Sequence, residues 1–69
     1  MSKWIEVWMD HTLDPPYILV VRGTAAGVEV FDPREMNRLV YRSADYDDTR
    51  LWLLEDEYEI VTGRMSIEE

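Results

Sequence analysis

The chain has 69 residues, no cysteine and a formal net charge of −8 from fifteen acidic and seven basic side chains. This length fits one small acidic domain, residues 1–69, and the missing cysteines exclude disulfides as its support. The charge disfavours direct binding to nucleic acid or to an anionic membrane, because both require a basic face on the protein.

The first predicted element is a β-strand over residues 4–9. Its side chains alternate, so that one face carries Ile5, Val7 and Met9 and the other carries Trp4, Glu6 and Trp8. A period of two is typical of a strand. A helix is the alternative, because four of the apolar residues also recur at helical spacing, but the aromatic and β-branched residues favour the strand.

A β-hairpin is predicted next. Pro15 and Pro16 cannot lie inside regular structure, so they mark a connection after the first strand. The apolar segment 17–22 then indicates a buried strand, and the segment 28–31 indicates its partner. The glycines of the intervening segment 23–27 predict the turn between them.

The segment 33–42 has two interpretations. Asp32 as an N-cap and Pro33 at the first helical position favour a short helix, on which Arg34, Arg38 and Arg42 would form a basic stripe. The alternative is a turn followed by a strand over 39–42, with the arginines neutralising nearby acids. We favour the turn and strand, because a small sheet needs that width to be stable.

A helix is predicted over about residues 45–54. Ser43 or Asp45 can cap it, and Asp45, Asp47 and Asp48 interact favourably with the positive end of the helix dipole. A last strand is predicted over 58–62, ended by Gly63 and followed by a fraying tail from residue 64 to 69. Together these elements predict an α+β fold with a small antiparallel sheet of four to five strands and one helix packed on one face.

The sequence offers no set of residues for catalysis or for metal binding. His11 is the only histidine, and without cysteine no nucleophile, base and orienting group can be assembled. The acidic residues 45–48 lack the glycine and the glutamate that a calcium loop requires. We therefore predict no enzymatic activity, no metal and no cofactor.

Two groups of residues are candidates for binding a partner. The dipole explains the acids of the helix start, which leaves the run of Glu55, Asp56, Glu57 and Glu59 unexplained by folding. Trp4 and Trp8 share a strand face with Glu6, so we expect that face to be partly solvated or covered by a partner or a tail. Tryptophan is common at the centres of protein interfaces.

These observations predict a small non-enzymatic domain that acts as a protein interaction module, an adaptor or an antagonist, through its acidic surface and a basic protein partner. The alternative is a homodimer that associates through the aromatic sheet face, with the acidity serving solubility only. A more distant alternative is a nucleic-acid mimic that inhibits a basic protein. No long apolar run is present, so we expect a cytoplasmic protein without membrane insertion.

Overall fold

The computed structural model describes residues 3–61 and 63–67. They form six β-strands, one turn of 3-10 helix and one α-helix. In chain order these are β1 (Lys3–Asp10), β2 (Tyr17–Thr24), β3 (Gly27–Asp32), the 3-10 turn (Pro33–Glu35), β4 (Arg38–Ser43), α1 (Tyr46–Glu55), β5 (Glu59–Ile60) and β6 (Met65–Ile67).

The strands make one sheet in the order β4-β3-β2-β1-β5, and β6 also pairs with β1. Every strand pairing among the described residues is antiparallel. The predicted α+β class is confirmed, and the sheet has six strands rather than four or five. The additional strand is β6, and it shares one edge of β1 with β5: β5 pairs with the second half of β1 and β6 with its first half.

The predicted hairpin is confirmed as β2 and β3, with a turn tighter than expected. Thr24 pairs with Gly27, which leaves only Ala25 and Ala26 to reverse the chain. Gly27 has a φ of +143°, and a Cβ there would lie 2.7 Å from the carbonyl oxygen of Ser43 on β4. Only glycine fits a backbone of that conformation in so close an approach.

The segment 33–42 is a turn followed by a strand, as we favoured. The carboxylate of Asp32 accepts a hydrogen bond from the Arg34 N–H at 3.0 Å and caps one turn of 3-10 helix. Met36 and Asn37 then adopt left-handed backbone angles, both with a φ of 60°, and turn the chain into β4. No helical stripe of arginines forms.

The predicted helix is confirmed as α1. The side chain of Asp45 accepts a hydrogen bond from the Asp47 N–H at 3.0 Å and caps its first turn. At the other end the backbone N–H of Asp56 bonds to the Leu53 carbonyl oxygen at 3.1 Å. The helix therefore stops at the beginning of the acidic run, as its polarity predicts.

The end of the chain differs from the prediction. The last predicted strand is reduced to Glu59–Ile60, and Met65–Ile67 form β6 where a fraying tail was expected. The tail prediction is thus wrong for these three residues, because the backbone of β1 supplies hydrogen-bonding partners that the local sequence does not reveal. Thr62, Glu68 and Glu69 lie outside the described residues.

Alternation along the strands gives the sheet two faces that differ in how deeply their side chains are buried. The buried face carries the apolar core, in which Leu53 of α1 joins Trp8, Leu19, Val21, Val28 and Val30. The other face, here called the outer face, carries eight further apolar side chains, which are Ile5, Val7, Met9, Ile18, Val20, Phe31, Leu39 and Met65.

Candidate interaction surfaces

The acidic run predicted from the sequence lies on the surface. Glu55 ends α1, Asp56 follows it, and Glu57 has a left-handed φ of 65°. Glu59 lies in β5, where its Oε2 is 2.9 Å from Nε2 of His11. All four acids are exposed. Within the described part of the chain the first three have no ion-pair partner, so their charge is not neutralised locally.

Trp8 is not at the surface. Its side chain is 4% exposed and belongs to the core. The neighbouring Glu6, on the same face of β1, is only 3% exposed. Trp8 is therefore a core residue, whereas Trp4 is only partly buried. The binding roles predicted for Trp4, for Trp8 and for the acids stay predictions.

Glu6 is a buried carboxylate with three hydrogen-bond donors. Its Oε1 accepts from Nε1 of Trp8 at 3.0 Å and from the Tyr46 hydroxyl at 2.9 Å. Its Oε2 accepts from Nε of Arg64 at 3.1 Å. A buried charge is tolerated when it is paired and hydrogen-bonded, and both conditions are met here. We expected this face to be partly solvated or covered by a partner or a tail. Around Glu6 it is covered by Tyr46 from α1 and by Arg64 from the segment before β6.

Arg64 lies in a corner formed by two aromatic rings. Its guanidinium carbon is 3.7 Å from the centroid of the Trp4 ring and 4.7 Å from that of Tyr46. The two rings stand at 80° to each other with centroids 5.4 Å apart. A cation over aromatic faces is attracted by their negative potential. We call Trp4, Tyr46 and Glu6 the arginine cage.

The arginine cage borders an open cleft. The cleft has a volume of about 370 Å³ and lies between the hairpin turn and the side chains of Tyr46 and Arg64. Trp4 is paired across the strands with Gly23, where an added Cβ would lie 2.1 Å from the indole. Glycine at this position lets the Trp4 ring lie flat against the sheet.

A second carboxylate on the buried face is also bonded by a tyrosine. Asp32, which is buried, accepts a hydrogen bond from the Tyr17 hydroxyl. This bond is the main reason that the pKa of Tyr17 rises to about 12. The pKa of Tyr46 is also raised, first by burial and then by its hydrogen bond to Glu6. Both hydroxyls therefore stay protonated at a pH of about 10, at which an ordinary tyrosine loses its proton.

The outer face is apolar in its middle and charged at two ends. Three of its side chains, Ile18, Leu39 and Met65, are exposed, and its other five apolar residues are partly buried. Across one end runs a row of charges in which Arg42 bonds to Glu29 at 2.8 Å and Arg22 stands next to Glu29. Glu59, opposite Met9, lies at the other end. The face therefore has a positive side chain near one end and a negative one near the other.

Sequence reasoning did not identify Tyr46 and Arg64 as partners of Glu6. Arg64 lay in the predicted tail, and Tyr46 lay in the predicted helix without an assigned contact. Gly23 inside the strand β2 is the one signal that could have shown the site, because a glycine in a strand often marks a close approach of another group.

The described residues contain no group of three or more His, Cys, Asp or Glu side chains that could hold a metal ion. They also contain no helix that is both long and apolar enough to cross a bilayer. Comparison of the chain with protein-family models, with curated proteins and with solved structures found no match.

Proposed function

We propose that this chain is a small non-enzymatic interaction domain that assembles in pairs through the outer face of its sheet. The main observation behind this proposal is that eight apolar side chains lie on the outer face. The helix contacts support this proposal. Tyr46 bonds to Glu6, Trp52 stacks on Tyr41 with centroids 4.4 Å apart, and Leu53 lies in the core. We infer from these contacts that α1 covers the buried face and leaves the outer face for another protein.

The size of the outer face fits a second copy of the chain. Strands lie about 4.8 Å apart and rise about 3.3 Å per residue, so five strands of about six residues present roughly 24 by 20 Å. Two such faces in contact bury roughly 1,000 Å², which reaches the lower range of specific interfaces. An apolar patch of roughly 480 Å² per chain is as large as the largest patches on ordinary monomers, which are often functional.

The charges at the ends of the outer face also fit a second copy. In a two-fold pair whose axis runs across the strands, the end of the outer face that carries Arg22 in one copy meets the end that carries Glu59 in the other. Opposite charges at the rim then favour the two-fold pair with antiparallel strands over the one with parallel strands. A core of six buried apolar residues is small, and pairing supplements it by the route that small chains without disulfides commonly use.

The test is the mass in solution with and without a charge on the outer face. We expect the unmodified chain to sediment at twice its 8.2 kDa. Ile18→Lys places a charge on the outer face at a side chain that is already 42% exposed, so the fold survives while the pair dissociates. Leu51→Lys is the matched control, since Leu51 is 56% exposed and belongs to α1 rather than to a strand.

The proposal fails if the unmodified chain sediments as a monomer at about 100 µM. It also fails if both lysine variants dissociate the pair equally, because the effect would then reflect added charge rather than the outer face.

The acidic surface supports a second candidate function, the binding of a basic protein. Glu55, Asp56 and Glu57 are exposed and have no ion-pair partner among the described residues. Unneutralised charge of this kind accelerates association with a positive surface and makes it sensitive to salt.

An oligo-arginine peptide tests this second candidate. Glu55→Lys with Glu57→Lys is expected to weaken binding several-fold at low salt. Asp14→Lys with Glu35→Lys makes the same change in net charge at two other exposed positions and serves as the control. Equal loss in both double variants would show that net charge alone attracts the peptide.

A further inference from the structure

We propose that the arginine cage is a binding site for an arginine side chain carried by an extended segment of a partner protein, and that Arg64 of the same chain occupies it here. The site lies on the buried face, so the proposal does not depend on pairing through the outer face.

The geometry of the arginine cage suits a guanidinium group. The ring planes of Trp4 and Tyr46, 80° apart, leave a corner into which a flat cation fits. Glu6 at its base receives the Nε–H of Arg64 at 3.1 Å and is itself fixed by Trp8 and Tyr46. A guanidinium combines flat stacking with directed N–H donors, whereas the ammonium of lysine does neither equally well. The arginine cage therefore selects arginine.

The backbone that carries Arg64 is held in the way that proteins hold a bound peptide. Residues 65–67 add as a short antiparallel strand to the free edge of β1, with Met65 opposite Ile5. Recognition by strand addition takes affinity from main-chain bonds and specificity from a side-chain pocket. Met65 and Ser66 are exposed and the Arg64 side chain is 43% exposed, so the described side chains of this segment bury little, and Arg64 alone of them contacts the arginine cage. Another extended segment with an arginine could make the same contacts.

The surroundings of the arginine cage favour a basic partner. The chain has a net charge of −8, which attracts a positive segment from a distance. The cleft of about 370 Å³ beside Arg64 gives room for residues that flank the incoming arginine. An added Cβ at Gly63 would meet no atom within 4 Å, so the space beside this residue is also open.

Occupation by Arg64 makes the site self-inhibited. A tethered segment competes at an effective concentration of about a millimolar, so a free peptide binds only to the fraction of molecules whose own segment is released. If the segment is closed in nine molecules of ten, vacating the arginine cage raises the apparent affinity for the peptide about tenfold.

The experiment uses the full chain with Arg64→Ala and a blocked peptide of residues 63–67, Gly-Arg-Met-Ser-Ile. Binding is followed by tryptophan fluorescence and by calorimetry. We expect the variant to bind this peptide about tenfold more tightly than the unmodified chain does. Replacing the arginine of the peptide by lysine should weaken binding several-fold, and replacing it by alanine should abolish it. Arg50→Ala, which removes an exposed arginine of α1, should behave as the unmodified chain.

A second substitution shows whether the peptide enters the arginine cage. Adding Trp4→Leu to Arg64→Ala removes one aromatic wall and should lower the affinity at least tenfold. Equal affinity for the arginine, lysine and alanine peptides would overturn the proposal, and so would an affinity unchanged by Trp4→Leu.

Loss of Arg64 leaves Glu6 without its cation, so the variant can be partly unfolded. In that case N-acetyl-arginine methylamide replaces the peptide and the melting temperature is measured, because a ligand of the folded state raises it. The arginine compound is expected to raise the melting temperature of Arg64→Ala more than N-acetyl-lysine methylamide does. An equal rise with both compounds would show that Arg64 is only a structural residue.

Discussion

The two faces of β1 show that the hydrophobicity of a face does not decide whether it is buried. One face carries Ile5, Val7 and Met9, which are all apolar, and is only partly shielded from solvent. The other contains the carboxylate of Glu6, and yet Glu6 and Trp8 are among the most buried residues of the chain.

The difference arises from what each face meets. The carboxylate of Glu6 is stabilised by donors from three separate parts of the chain, Trp8, Tyr46 and Arg64. The apolar side chains of the outer face need no hydrogen-bond partners, so they can stay partly exposed until another molecule covers them. A buried polar group with complete hydrogen bonding specifies one arrangement of its neighbours, whereas an apolar patch accepts any complementary surface.

Adjacent residues of β1 give the largest expected contrast. Trp8→Ala should lower the free energy of unfolding by about 3 to 5 kcal/mol, because it empties a core position and removes one donor from Glu6. Met9→Ala, on the outer face, should cost about 1 kcal/mol or less in the monomer. Urea denaturation of both variants at protein concentrations where the chain is monomeric measures the difference without any contribution from pairing.

A cost for Met9→Ala as large as that for Trp8→Ala would show that the outer face is as well covered as the core. In that case the two faces would be equivalent, and the proposed pairing would lose its basis.

The two glutamate–arginine pairs of the sheet give a smaller contrast. Glu6 pairs with Arg64 on the buried face, and Glu29 pairs with Arg42 on the outer face. Glu6→Gln replaces one acceptor oxygen by an N–H₂ group that faces other donors. We therefore expect the free energy of unfolding to fall by about 2 kcal/mol. Glu29→Gln should cost less than about 0.5 kcal/mol, because exposed ion pairs contribute little.

Urea denaturation with and without added salt measures how much each ion pair contributes to stability. Salt should reduce the contribution of Glu29 to stability more than that of Glu6, since the carboxylate of Glu6 is buried and therefore less screened. Similar costs for the two variants would contradict the view that burial distinguishes these faces.

Elements governed by neighbouring residues could be predicted from the sequence. The cap at Asp45, the prolines before β2 and the alternation along β1 act within a few residues, and each predicted element appears in the structure. The turn before β4 follows the same rule, because Asp32 bonds to a backbone N–H only two residues away.

Features that depend on distant residues could not be predicted. The alternation of β1 is the same whichever face is buried, and the partners that stabilise Glu6 lie 40 and 58 residues away at Tyr46 and Arg64. The three residues of β6 carry too little local signal to predict a strand, and they pair with β1 from the opposite end of the chain. The exposure of the acidic run was predictable, whereas the arginine cage was not.

The smallest expected effect is a loss of stability at alkaline pH. It arises from Tyr17, which lies on the buried face. The pKa of Tyr17 is about 12 in the folded chain, compared with 10.0 for an ordinary tyrosine. Below pH 10 both states keep the proton, so the hydrogen bond to Asp32 contributes in full. As the pH rises from 10 to 12, the unfolded chain loses the proton first, and the free energy of unfolding falls.

Tyr17→Phe removes this dependence together with the hydrogen bond. The variant should be less stable than the unmodified chain at pH 8, and the difference should shrink as the pH approaches 12. Tyr46→Phe should act in the same direction, because the pKa of Tyr46 is raised by burial and by Glu6. Phe31→Leu on the outer face replaces a ring that does not titrate, so its effect should be the same at both pH values. A difference between Tyr17→Phe and the unmodified chain that stays constant from pH 8 to 12 would show that the hydroxyl is not bonded to Asp32 in the folded state.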